Sequence, residues 1–226
     1  MNMNSIMETV CSVCNNVRRI SKQGLSFHKL MTVLRREFRE QNFNLRIKTD
    51  TDKTLNVGEF YVNAFYDPED DKEGDIAIEL IIHHNFDKVI IWQLNEVSDL
   101  LREIFDAVVH EFKHQRQSRK RKFHSYWDHT NPATDYMAYL SDPDEVDAYA
   151  ISIAIELCRN VGKYRAIRYM SKLSSLSKLK FRDRYVSPNL SAYIGIFGGL
   201  EDPTIRLLAK KVYIRLQKVD TDCVFV

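Results

Sequence analysis

The 226-residue chain has 44% hydrophobic and 28% charged residues, a globular profile that excludes wholesale disorder and collagen-like or low-complexity architecture. Its 33 Lys+Arg against 31 Asp+Glu leave a net charge of +2, so any nucleic-acid contact must be local. Seven Gly and five Pro favour long regular elements. Four Cys are too few for a disulfide framework, which suits a reducing compartment.

The N-terminal stretch MNMNSIMETVCSVCNNVRR lacks an uninterrupted apolar segment and carries Arg18 and Arg19 on the wrong side for a secretory signal. The apolar stretch from Ile76 to Ile82 is interrupted by Glu79 and is far too short for a membrane span. The expectation is a cytoplasmic protein with no membrane partner.

Residues 4–41 predict two helices broken near Lys22-Gln23-Gly24, the second with Phe27, Leu30, Met31, Leu34 and Phe38 on one face. The period then changes. Residues 45–48, 60–66, 75–82 and 88–92 alternate or run apolar, with β-branched and aromatic residues, and predict strands. Asp67-Pro-Glu-Asp-Asp-Lys-Glu-Gly74 reads as turn chemistry, so an antiparallel meander is expected. Helical periodicity returns over 95–119, and further helices are expected over 143–160, 163–178 and 203–218. Asp142-Pro143 and Asp202-Pro203 start the first and last of these. Residues 183–200, with Gly198-Gly199, read as loop. The fold class is α+β, with N-terminal helices, a small antiparallel or mixed sheet and a helical C-terminal extension. The simplest division is a single domain over 1–226, comprising helices 1–44, a core 45–160 and an extension 161–226.

The chemistry concentrates in Val109-His110-Glu111-Phe112-Lys113-His114, an H-E-x-x-H motif. Two histidines four residues apart share one helix face, so both imidazoles can reach one Zn²⁺, while the intervening Glu can accept a proton from water. At 100° per residue the two histidines are roughly 40° apart, and the apolar stripe of Val97, Leu101, Ile104, Phe105, Val108 and Phe112 lies on the other side of the helix. A catalytic zinc needs a third protein ligand and an open position. The metzincin spacing would need Gly at 117 and His at 120; the chain has Gln117 and Lys120, which excludes that class. A better candidate is Glu145, in the first turn of the helix starting at Asp142-Pro143, where Ala148 permits close helix approach.

His110-Glu111-x-x-His114 followed by Glu145-x-x-Ala148 resembles the gluzincin-type zinc metallopeptidases, in particular their small phage- and prophage-associated members of the ImmA/IrrE kind. The resemblance covers residues 75–160. It implies a zincin-like core over 45–160, with an active-site helix, a glutamate helix and a strand, here 76–82, that aligns a protein or peptide substrate by backbone hydrogen bonds. It also implies that His110, His114 and Glu145 bind Zn²⁺ and that Glu111 is the general base of a metalloendopeptidase. If phage-encoded, the protein would sit in a host cytoplasm or virion. Larger relatives often carry Asp four residues after the glutamate ligand; here that position is Tyr149. Support for a ligand histidine would then fall to Asp106 or Asp147. Tyr136, Tyr139, Tyr149, His124 and His129 are candidates for neighbouring roles, including oxyanion stabilisation.

Two alternatives stay open. His124 or His129 as third ligand would resemble the SprT-like, DNA-associated proteases. The run from Lys113 to Lys122, with Arg116, Arg119, Lys120, Arg121 and Lys122, could then contact phosphate. Its plainer reading is a helix end whose cations complement the dipole. A non-enzymatic phage structural or host-interaction protein on the same scaffold is the other class. Cys11-Ser-Val-Cys14 has no second pair and reads as buried helix cysteines. His83-His84 defaults to a surface pair at a strand end.

Overall fold

The computed structural model describes residues 2–86, 91–124, 135–172 and 186–219. It is α+β, with nine helices and sheets of three and two strands among the described residues. Contacts divide the chain into two compact units, one running to Phe123 and the other beginning at His124.

In the first unit, α1 (Met3–Ile20) starts at Asn2, whose side chain accepts the Ser5 amide. A 3₁₀ turn, Ser21–Gln23, and Gly24 lead into β1 (Leu25–Ser26) and α2 (Phe27–Glu40). Gly24 has φ +80°, and a Cβ there would lie 2.8 Å from Ile91 Cγ2, so glycine is required twice over. β2 (Leu45–Thr51), β3 (Phe60–Tyr66), α3 (Pro68–Glu73), β4 (Ile78–His84), β5 (Ile91–Trp92) and α4 (Leu94–Lys120) follow. The acidic stretch expected to be a turn is thus a one-and-a-half-turn helix, capped by Asp67 and closed by Gly74 in the left-handed conformation.

The sheet is not a meander. Its order is β2-β4-β3, with β2 parallel and β3 antiparallel to β4, so Leu80 faces Ile47 on one side and Ala64 on the other. Ile78, Leu80 and Ile82 are fully buried, as befits a central strand. Glu79, the charge that interrupts this apolar run, is buried on the opposite face and paired with Lys48 at 2.6 Å and Arg46 at 3.4 Å on the neighbouring strand. The 76–82 segment is therefore not an edge that could align a substrate: five of its seven residues, Ile78 to Ile82, lie in the strand that β2 and β3 flank, and hydrogen bonds to both neighbours use its backbone groups. The free edges are β2 and β3. A side chain reaches each one: Arg35 Nε donates to the Ile47 carbonyl at 3.1 Å, and the Glu103 carboxylate accepts the Val62 amide.

α4 carries the site. The Gln93 amide donates to Glu96 at 2.6 Å to cap its start. Val97, Leu100, Leu101, Ile104, Phe105, Val108 and Val109 are all fully buried, and this face packs on α1 and β3. Cys11 and Cys14 lie buried in α1, where Cys14 Sγ is 3.7 Å from the Leu101 carbonyl. The histidine pair is not a surface pair, because strand alternation sends the two rings to opposite faces. His84 is buried against Phe27 and Phe86, while His83 stacks on Tyr61 at 4.5 Å and meets Asp50 at 3.3 Å.

In the second unit, α5 (Tyr136–Ser141) precedes α6 (Pro143–Val161), which is followed by α7 (Lys163–Ser171), α8 (Pro188–Phe197) and α9 (Pro203–Lys218). Asp142 caps α6, accepting the Asp144 amide at 2.7 Å. From Ala150 to Cys158 every residue of α6 is buried, which requires neighbours all round. α9 supplies Ile205, Leu208, Val212 and Leu216 on one face against it, and α7 and α8 pack on it as well. One expectation fails here: the stretch expected to be loop contains α8, capped by Ser187, opened by Pro188 and closed by Gly198. α7 runs to Ser171, with Lys172 as its C-cap, and residues 173–178 of the expected helix lie outside the described residues. Among the described residues no helix is long and apolar enough to cross a membrane.

Candidate metal centre

His110 and His114 project from one side of α4, half-buried, with their Nε2 atoms 3.0 Å apart and ring centroids 4.8 Å apart. Helical spacing alone produces this, since the two positions are one turn apart. Among the described residues one group could hold a metal ion: His110, His114 and Glu145, whose ligand atoms all lie within 4.8 Å of one another.

The donor set fits a divalent ion. Two imidazole nitrogens and one carboxylate oxygen form a three-ligand set that leaves a fourth tetrahedral position open. Nitrogens about 2.05 Å from one ion at the tetrahedral angle are about 3.3 Å apart, close to the 3.0 Å observed. Glu111 is 9% exposed and follows His110 directly, 100° round the helix, so it adjoins the pair without sharing its face. Glu145 is in the first turn of α6, the rigid start set by Asp142 and Pro143.

Asp106 is half-buried on α4, one turn before His110. Glu103, a further turn back, is pushed up to about 7 by burial and, secondarily, by Asp106 and Asp99; the Val62 amide opposes the shift. Asp147 lies 200° round α6 from Glu145, and its carboxylate is held by Arg215 at 2.7 Å and Lys211 at 3.4 Å, both from α9. These pairs join α6 to α9. Tyr136 is half-exposed and stacks near Tyr139. Tyr149 packs on Tyr193, ring centroids 5.2 Å apart. His124 is exposed, and His129 lies outside the described residues. Of the basic run, Arg119 is committed to Asp71, whereas Arg116, Lys120 and Lys122 are exposed and Arg121 is half-buried.

Two neighbours were not foreseen. Tyr193 of α8 is buried, donates to the Leu140 carbonyl at 3.1 Å, and is raised by burial first and then by Tyr149, Glu145, Tyr136 and Asp142. The Ser187-Pro188 start and the Gly198 stop were the signals that would have put it on a helix. Asp71 of α3 accepts hydrogen bonds from Gln115 and Arg119 on α4, immediately beyond His114. No local pattern in the sequence points to that pairing.

Comparison with known proteins finds no matching family model, no matching curated protein and no matching solved structure.

Proposed function

We propose that the protein is a zinc-dependent metalloendopeptidase. The observation that carries this reading is the gathering of His110, His114 and Glu145 within 4.8 Å, with Glu111 at the adjoining helix position. Two neutral imidazoles and a carboxylate suit zinc among the common divalent ions. A zinc held there supplies Lewis-acid polarisation of a carbonyl and lowers the pKa of a coordinated water to about 7.

The chain's own residues do the rest. His110 and His114 hold their nitrogens toward one point because α4 is rigid between them. Glu145 contributes the negative charge that a His-His pair lacks. Glu111 accepts the proton of the attacking water and delivers it to the departing amine. Its burial keeps the carboxylate out of bulk solvent, where that transfer would have to compete with water.

Metal analysis of freshly purified protein tests the site: about one zinc per chain, lost in His110→Ala, is expected. Zinc-loaded protein that retains no metal overturns the reading. Glu111→Gln should keep the metal and lose peptide hydrolysis, since it removes only the base.

A further inference from the structure

We infer that Asp71 is a positioning residue for the His110/His114 pair, its buried carboxylate fixing the rotation of the α4 turn that carries His114. This rests on the metal-site reading above and names a residue on which that site depends.

Apolar packing holds the first five turns of α4. It ends at Phe112: from there to the end of the helix no residue contributes to the hydrophobic core. His114 lies beyond that point. The residues that follow are nonetheless buried, and they are polar: Gln115, Gln117 and Ser118 are 7–8% exposed. Orientation in this part of the helix must come from directed polar contacts rather than from the shape of a core.

Asp71 provides them. Its side chain is 3% exposed, and three side chains converge on it. Gln115 Nε2 donates to Oδ1 at 2.9 Å. Arg119 donates through two nitrogens, at 2.8 Å to Oδ2 and 2.6 Å to Oδ1. The Tyr66 hydroxyl donates to Oδ2 at 3.0 Å. Tyr66 ends β3 and Asp71 belongs to α3, while Gln115 and Arg119 are one turn apart on one side of α4. One carboxylate therefore ties two successive turns of the helix to the end of the sheet.

The tie restricts rotation. An imidazole nitrogen sits roughly 5–6 Å from the helix axis, so turning the helix by about 10° moves it on the order of 1 Å. Metal ligands tolerate a few tenths of an ångström. Rotating α4 at His114 would break the two-pronged Arg119 contact and the Gln115 bond together, leaving a buried carboxylate with the Tyr66 hydroxyl alone and no cation beside it, which is disfavoured.

The test uses the full-length metal-free protein and Co²⁺ as the probe. Asp71→Asn keeps the side-chain shape but removes the charge and one acceptor. It should weaken Co²⁺ binding tenfold or more, alter the visible d–d band, and shift the imidazole ¹⁵N resonances of His114 before any metal is added. Arg119→Gln, which leaves Asp71 its Tyr66 and Gln115 donors, should give a smaller change in the same direction and carries the test if Asp71→Asn does not fold. Val10→Ala, a core change in α1, serves as the stability-matched control and should leave the d–d band unchanged. Wild-type Co²⁺ affinity and spectrum in both Asp71→Asn and Arg119→Gln would overturn the positioning role while leaving the metal site standing. A wild-type protein that binds no Co²⁺, with His110→Ala indistinguishable from it, would overturn both.

Discussion

Phe112, inside the H-E-x-x-H motif, meets Phe43 edge to face, ring centroids 4.9 Å apart and planes at 81°. Phe43 meets Phe38 of α2 in turn, at 5.8 Å. Phe112 thus ties the histidine-bearing helix to the core. Phe112→Ala should cost about 3–5 kcal/mol by urea unfolding of the metal-free protein. Phe43→Leu, which keeps most of the buried volume, should cost closer to the roughly 0.5–1.5 kcal/mol of an aromatic pair.

The third ligand separates the two protease resemblances. Glu145→Ala should lower zinc affinity by more than about a hundredfold, beyond the 10–100-fold typical of outer partners. His124→Ala and His129→Ala should leave it near wild type in the same competition titration. The reverse ranking would move the ligand to the segment around His124.

Acid should loosen the Asp71 tie. Burial pushes this carboxyl up, but hydrogen bonds from Arg119 and Tyr66, the Arg119 charge and the Gln115 bond more than offset it, and the net direction is down. A carboxyl whose folded value lies below its unfolded one contributes stability that is present at neutral pH and disappears as pH falls below about 4. Melting curves between pH 3 and 7 should therefore show a steeper acid limb in the wild type than in Asp71→Asn.

Glu103 has the opposite sign. Its folded value, raised to about 7, means the native state holds its proton more tightly than the unfolded chain does. The stability it contributes is complete below about pH 4.3, its unfolded value. That contribution is lost as pH rises through 7. Part of its surface remains open to solvent, so screening keeps the effect to a fraction of the full shift. Glu103→Gln should raise the melting temperature at pH 8 and leave it little changed at pH 5.

Much of this arrangement was legible because local chemistry specifies it. Asp142-Pro143 and Asp202-Pro203 start α6 and α9 as the cap rule requires, and His110 and His114 meet because helical geometry brings positions four apart together. Strand order was not legible. Periodicity identifies β2, β3 and β4 as strands, but nothing local tells β3 to leave β2 and pair with β4. The one cue was the dense apolar run of β4, which suits a strand flanked on both sides. Asp71 was hidden for a similar reason: within Asp67-Pro-Glu-Asp-Asp-Lys-Glu-Gly74 it looks like any other turn acid, and its partners on α4 are 44 and 48 positions away.

The two long ionisable side chains at the sheet margins have a consequence for behaviour in concentrated solution. Bare edge strands template end-to-end sheet growth between molecules. Arg35 takes a carbonyl on β2 and Glu103 takes an amide on β3, so each margin offers an incoming strand an interrupted ladder and an ionisable group to displace. Removing both, in Arg35→Ala combined with Glu103→Ala, takes away the side chain that occupies a backbone group on each margin. Such a protein should cloud on storage at concentrations the wild type tolerates.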